Sequence, residues 1–205
     1  SYQYTAFCNH YRTFAGQLKR SMRQVHQAGE KLFADYAGPM VPIIDAVTGE
    51  VSSASIFVGV LGASSYTFAC ATAGQTQADW LFGIEQCLRF IGGVPALIVP
   101  DNPKALVTKA DRYDPELSQG AQEFALHYDT VILPARPGKP QDKAKVEVGV
   151  QIVERWILAR LRHRQFFSLV ELNAAIAELL PELNDRAFKR LPGNRRSAFE
   201  ALDAS

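Results

Sequence analysis

Ala96-Leu97-Ile98-Val99-Pro100-Asp101-Asn102-Pro103 is an apolar run that stops on an acid held between two prolines. Continuous apolar residues with β-branching at Ile98 and Val99 suit a strand buried on both faces, as parallel sheets provide. Pro-Asp-Asn-Pro is turn chemistry, so Asp101 is expected at the carboxyl end of that strand. Just upstream, Trp80, Leu81, Ile84, Leu88 and Ile91 recur at helical spacing, and Gly92-Gly93 closes the pattern where a C-cap belongs. A helix therefore feeds a buried strand.

Further upstream, Leu32 to Met40 is a short β-compatible run that carries Asp35 in its middle, and Asp45-Ala46-Val47-Thr48-Gly49-Glu50 reads as a hairpin turn with Gly49 at the left-handed position. Strands follow around Ser55 to Leu61 and Tyr66 to Ala71. The opening stretch places Tyr4, Phe7, Tyr11 and Phe14 at spacings of three and four, one face of a lead-in helix.

Downstream of Asp101, a loop with Tyr113, Pro115 and Gly120 precedes a short helix around Gln122 to His127 and the strand Val131-Ile132-Leu133. Prolines 134, 137 and 140 punctuate the next segment. Val146, Val150, Val153, Ile157 and Leu161 then mark the buried stripe of a long helix beginning near Asp142, which reads as its N-cap, with Glu147 in the first turn or two. Ser168-Leu169-Val170-Glu171 is a capping-box pattern ahead of Leu172, Ile176 and Leu179, and Pro181 is expected to end or kink that helix. Residues 186–205 read as a basic linker with a short helical element around Ala198 to Leu202. Three strands, helix, strand, helix, strand, helices is an order that favours an α/β domain: a mixed sheet with helices on both faces. The expected organisation is a lead-in helix over 1–30, a core over 31–165 and a C-terminal helical extension over 166–205.

Composition sets the outer bounds. The chain has 205 residues, 47% of them hydrophobic and 21% charged, which is enough apolar material for one globular domain with an appendage. No apolar run reaches the roughly 18 residues that cross a bilayer, and no basic-then-apolar leader opens the chain, so a soluble, intracellular protein is expected. Cys8, Cys70 and Cys87 are odd in number and far apart, which suggests buried free thiols rather than disulfides or a thiolate zinc site. His10, His26 and Cys8 lack the fourth nearby ligand that zinc needs. The net charge of +1 conceals two basic stretches, Arg136, Lys139, Lys143 and Lys145, then Arg155, Arg160, Arg162 and Arg164. A polyanionic partner and an ordinary solvated helix face both fit them.

Asp35, Asp101 and Glu147 fall where such an architecture would gather them. Singly each has a structural reading: Asp35 an exposed strand residue, Asp101 a turn initiator, Glu147 a helix-surface partner of Lys143. An aspartate between Phe33-Ala34 and Tyr36-Ala37 is costly to bury without a partner, which favours function at Asp35. Glu154, two turns along the same helix, rivals Glu147 for the third place.

The order of elements and acids resembles the RNase H-like fold of integrase catalytic cores and DDE transposases, a mixed five-stranded sheet. Phe33-Ala34-Asp35-Tyr36-Ala37-Gly38, Val99-Pro100-Asp101-Asn102-Pro103-Lys104 and Pro134-Ala135-Arg136-Pro137-x-Lys139-Pro140-x-Asp142-Lys143-Ala144-Lys145-Val146-Glu147 are similar to the transposases of bipartite insertion sequences, the IstA type. Gly59 to Ser64 and Phe166 to Leu169 look like that family too, while Pro103 and Leu106 depart from it. The resemblance implies that Asp35, Asp101 and Glu147 are catalytic and bind two Mg²⁺ (or Mn²⁺), with Asp35 bridging both. It implies DNA end cleavage by water, then attack of the freed 3′ hydroxyl on target DNA. It also implies double-stranded DNA as partner, an AAA+ helper ATPase of the IstB type, a dimer or tetramer on DNA, and a bacterial cytoplasmic protein associated with the nucleoid when active. Lys104, Arg136, Lys139, Lys143 and Lys145 are the expected phosphate contacts. The alternatives are a catalytically silent DNA-binding or assembly module of the same fold, docking the helper, and a nuclease that only hydrolyses.

Overall fold

A computed structural model describes residues 3–17, 26–101, 103–109, 116–135, 140–189 and 191–204. A helix α1 (Tyr4–Gln17) is followed by strands β1 (Lys31–Tyr36), β2 (Val41–Ile44), β3 (Val51–Leu61) and β4 (Thr67–Thr72). Helix α2 (Gln77–Ile91) leads into β5 (Leu97–Pro100), and the small strands β6 (Val107–Lys109) and β7 (Glu116–Leu117) precede α3 (Gln119–His127) and β8 (Val131–Ile132). A long helix then runs through α4 (Pro140–Val153), a π-helical turn (Glu154–Leu158) and α5 (Ala159–Leu161), before α6 (Leu169–Asp185) and α7 (Arg195–Leu202).

The sheet is mixed. β1 pairs antiparallel with β3 and parallel with β5, which in turn pairs parallel with β8, and β4 pairs antiparallel with β3. β5 is thus interior and flanked by parallel neighbours, as its apolar run predicts. Six strands are assigned to the sheet among the described residues, where five are expected. The extra one is β2, a continuation of β1: Tyr36 stands opposite Phe57, the Ala37 N–H donates to Ile56 O, and Val41 stands opposite Ala54. Pro39, which has no N–H for the ladder, divides one long strand in two.

Pleat alternation assigns the faces. Leu32, Ala34 and Tyr36 face α2, whereas Phe33 clusters with Val99, Ala135 and Val146 of α4 on the other side. Two glycines allow these helices to come close. A Cβ at Gly83 of α2 would stand 2.6 Å from the Phe57 ring, and one at Gly149 of α4 would stand 2.3 Å from Val60 Cγ2. α2 is capped as its ends predict, by a reciprocal Thr76–Asp79 box and by Gly92 at φ 72°.

β4 is an edge strand, and α6 covers its edge with two asparagines. Asn184 Oδ1 accepts from Thr67 N and its Nδ2 donates to Thr67 O, while Asn173 does the same to Ala71. Side-chain amides here replace the missing neighbour strand. Several expectations change at this end of the chain. α6 continues through Pro181 to Asp185, because Leu180 and Leu183 on either side of it are buried in the core. The part of 186–205 that holds α7 is docked rather than a linker, with Phe199 stacked on Tyr66 at 4.4 Å and Asp203 accepting from Gly29 N and Ser64 N. α6 shares one continuous core with the sheet. Asp142 lies inside the first turn of α4, so it is not the N-cap; Pro140 opens that helix, where a missing N–H costs nothing. Gly120 lies within α3, which Ser118 caps. Cys70 and Cys87 are buried as expected, but Cys8 is half-exposed on α1.

Candidate active site

Register brings two acids side by side. Ala34 pairs with Pro100, and the N–H of Asp101 donates to Ala34 O at 2.8 Å, which extends the parallel ladder by one step. Asp35 and Asp101 are therefore neighbours at the carboxyl ends of adjacent parallel strands, the edge of an open α/β sheet where ligands bind. Two residues after Phe33 and Val99, they also share the face that α4 covers. Asp35 is half-buried, and its Oδ1 accepts the Tyr36 N–H at 2.8 Å. Both acids line a cleft of about 510 Å³ with Tyr36, Gln75, Trp80 and Lys104.

The cleft floor is rigid for reasons traceable to composition. Tyr36, Phe57 and Trp80 meet edge-to-face at 4.9 to 6.0 Å, and Trp80 is only 4% exposed. The Tyr36 hydroxyl accepts from Thr72 Oγ1 at 3.2 Å, and burial pushes its phenol well above the ordinary range. That phenol remains protonated and serves as an anchor rather than a nucleophile. Burial likewise pushes the Cys70 thiol up to about 12, so it supplies no thiolate. Gln75 is a cleft residue that sequence reading misses. It precedes the Thr76 cap, and the only signal for it is that position at the head of α2.

Glu147 stands apart. It is exposed on α4 and is not among the residues lining the cleft, and among the described residues no three His, Cys, Asp or Glu side chains converge as a metal site. Its neighbour Val146 nevertheless packs against Phe33 and Val99, one layer below the two aspartates. Glu154 opens the π-helical turn, roughly 10 Å further along the helix axis and beyond Val153, which is buried in the main core. Packing thus places Glu147 closer to the aspartate layer than its rival.

Of the five expected phosphate contacts, Lys104 is exposed at the cleft. Arg136 and Lys139 lie outside the described residues, as does the Lys143 side chain. Lys145 points elsewhere: its Nζ donates to Ser65 Oγ at 2.8 Å, and desolvation lowers its ammonium, with Asp203 opposing the shift. Half-buried and committed to Ser65, Lys145 ties α4 to the β3–β4 turn.

The donor set matches a hard divalent cation. Carboxylate oxygens from Asp35 and Asp101 are of the type Mg²⁺ or Mn²⁺ takes, and a third would come from α4.

No family model matches the chain. It is 63% identical over 203 residues to the transposase assigned to insertion sequence IS408 of Burkholderia multivorans, covering 99% of this chain and 39% of that protein. The same identity over 203 residues holds for the transposase assigned to IS1162 of Pseudomonas fluorescens, of which the chain covers 36%. The chain thus spans well under half the length of these relatives. Among solved structures, the simian T-cell lymphotropic virus intasome in complex with PP2A regulatory subunit B56 gamma superposes with a TM-score of 0.64 at 14% identity, over 89% of this chain and 58% of that one. The HTLV-2 integrase catalytic core domain in complex with magnesium gives 0.56 at 16% identity, over 85% of this chain and 99% of that one. The fold is that of the integrase catalytic core, RNase H-like, and the sequence is similar to a region of insertion-sequence transposases.

Proposed function

We propose that this chain is the catalytic core of a DDE transposase, which cleaves the ends of an insertion sequence and joins them to target DNA. The observation that carries the reading is the pairing of Asp35 and Asp101 at adjacent strand ends in one cleft. High identity to insertion-sequence transposases and a fold shared with a magnesium-bound integrase core support it.

In this reading Asp35, Asp101 and Glu147 hold two Mg²⁺ or Mn²⁺ ions, with Glu147 swinging in from α4 when DNA is bound. Such ions supply charge that stabilises in-line displacement at phosphorus. The chain's own residues position the DNA. Lys104 at the cleft rim binds a backbone phosphate, with Arg136, Lys139 and Lys143 extending that contact, while the Tyr36–Phe57–Trp80 floor fixes the strand that carries Asp35. Water opens the phosphodiester at the transposon end, and the liberated 3′ hydroxyl then attacks a target phosphodiester and expels a new 3′ hydroxyl. An AAA+ helper of the IstB type, double-stranded DNA and further copies of the chain are the partners the reading calls for, in the bacterial cytoplasm. No helix among the described residues is long and apolar enough to cross a membrane.

The position of Glu147 outside the cleft supports a second reading, a non-catalytic module that holds DNA or docks the helper. Joining of a pre-cut transposon-end oligonucleotide into plasmid DNA separates the two. With the full-length protein, Asp35→Asn, Asp101→Asn and Glu147→Gln should each abolish joining and leave end binding intact, and Glu154→Gln should join normally. Normal joining by all three acid variants would leave the module reading standing.

A further inference from the structure

Helix α1 presents its apolar side chains to solvent. Tyr4, Phe7, Tyr11 and Phe14 are 82%, 61%, 56% and 58% exposed, and no α1 residue among those whose side chains are described belongs to or packs on the hydrophobic core clusters. Fourteen residues in isolation make a marginal helix in water, so this element needs something to cover it. The spacing of the four aromatics is three, four, three: positions a, d, a and d of two consecutive heptads. That is narrower than the stripe with which a helix joins a globular core, and it is the width of a helix-pair seam.

We propose that α1 is a self-pairing helix, its Tyr4-Phe7-Tyr11-Phe14 seam packing against the same seam of a second copy of this chain. Charge favours a copy over an unlike partner. Position 12 holds the one Lys, Arg, Asp or Glu between residues 3 and 17, and Arg12 falls at b, away from the seam. Positions flanking the seam hold Gln3, Cys8 and His10, so two copies meet without a block of like charge, and no opposite charge is presented to select a different helix. Area points the same way. Covering four such aromatics removes roughly 500 Å² per copy, roughly 1,000 Å² for the pair, which is the lower limit of a specific interface. The pairing is accordingly weak in solution and gains from any second contact between copies.

Sedimentation of the protein over a wide concentration range tests this, with Phe7→Glu/Tyr11→Glu as the broken seam and melting of the core as the folding control. The wild type should show a concentration-dependent dimer, the double variant should remain monomeric at the same concentrations, and both should melt alike. Cys8 flanks the seam while Cys70 and Cys87 are buried, so a short bismaleimide should link two copies through Cys8, and Cys8→Ser should remove the link. A wild type that stays monomeric overturns the proposal, as does a dimer indifferent to Phe7→Glu/Tyr11→Glu. A seam-dependent dimer that never links through Cys8 also overturns it, because the helix would then be docking on another surface of the partner.

Discussion

Replacing Gly149 by alanine puts two large effects in opposition. Alanine in a helix interior is favoured over glycine by about 1 kcal/mol. The new methyl, however, would stand 2.3 Å from Val60 Cγ2, where carbon atoms normally settle at roughly 3.5 to 4.0 Å. α4 must rise by about an ångström or Val60 must leave its rotamer, and such overpacking costs about 1 to 3 kcal/mol. The net expectation is a loss of about 1 kcal/mol, or about 2 to 4 °C in Tm for a domain of this size. The functional effect should be much larger. In the proposed reading Glu147, two residues away on the same helix, joins the reacting centre, where an ångström of displacement costs about 100-fold in rate. Gly149→Ala should therefore join transposon ends about 100-fold more slowly while binding them normally. Val60→Ala removes the clashing methyl, so the double variant should regain most of the joining, a coupling that a double-mutant cycle measures. A Gly149→Ala protein that melts higher than wild type and joins at the normal rate would refute the claim that close packing of α4 on β3 sets the position of Glu147.

Other perturbations probe the remaining contacts. Asn184→Ala removes both bonds to Thr67 and the one to Leu180 O from a fully buried site, so about 2 to 4 kcal/mol and a Tm drop of about 4 to 16 °C should appear in thermal melts. Burial, then Lys145 and Lys31, lower the His26 imidazole against the weaker pull of Glu30. The unfolded chain thus binds the proton more readily, and stability should fall as pH drops through 6.5 toward the lowered value. His26→Gln should flatten that part of a pH–Tm profile. Lys104→Ala should weaken DNA binding equally for end and random sequences and reduce the salt slope by about one ion, as fluorescence anisotropy would record.

The sequence carries the sheet's interior and both aspartates plainly, because their signals are local. The apolar run 96–100 has one buried solution, and the Pro-Asp-Asn-Pro stop fixes where Asp101 falls. Other features depend on partners distant in sequence. That α6 survives Pro181 follows from burial of Leu180 and Leu183, and the docking of α7 follows from Tyr66 meeting Phe199 across more than 130 residues. β2 is hidden because Pro39 cuts one strand that the hydropathy pattern shows as continuous. Lys145 looks like any exposed helix lysine until the β3–β4 turn places Ser65 beside it. Gln75 has no chemical signature at all, since an amide before a helix cap is ordinary. Glu147 is legible as a position on a helix, but its standing outside the cleft is not, because its place is set by how α4 crosses the sheet.

The central claim is that Asp35 holds a divalent cation through its carboxylate oxygens. Asp35→Cys tests it most directly, because a thiolate is a poor ligand for Mg²⁺ and a better one for Mn²⁺. Strand joining by this variant should vanish in Mg²⁺ and return in part in Mn²⁺, while Asp35→Ala stays silent in both. If Asp35→Cys and Asp35→Ala both join in Mg²⁺ at the wild-type rate, the carboxylate is not a ligand and the account of the cleft fails.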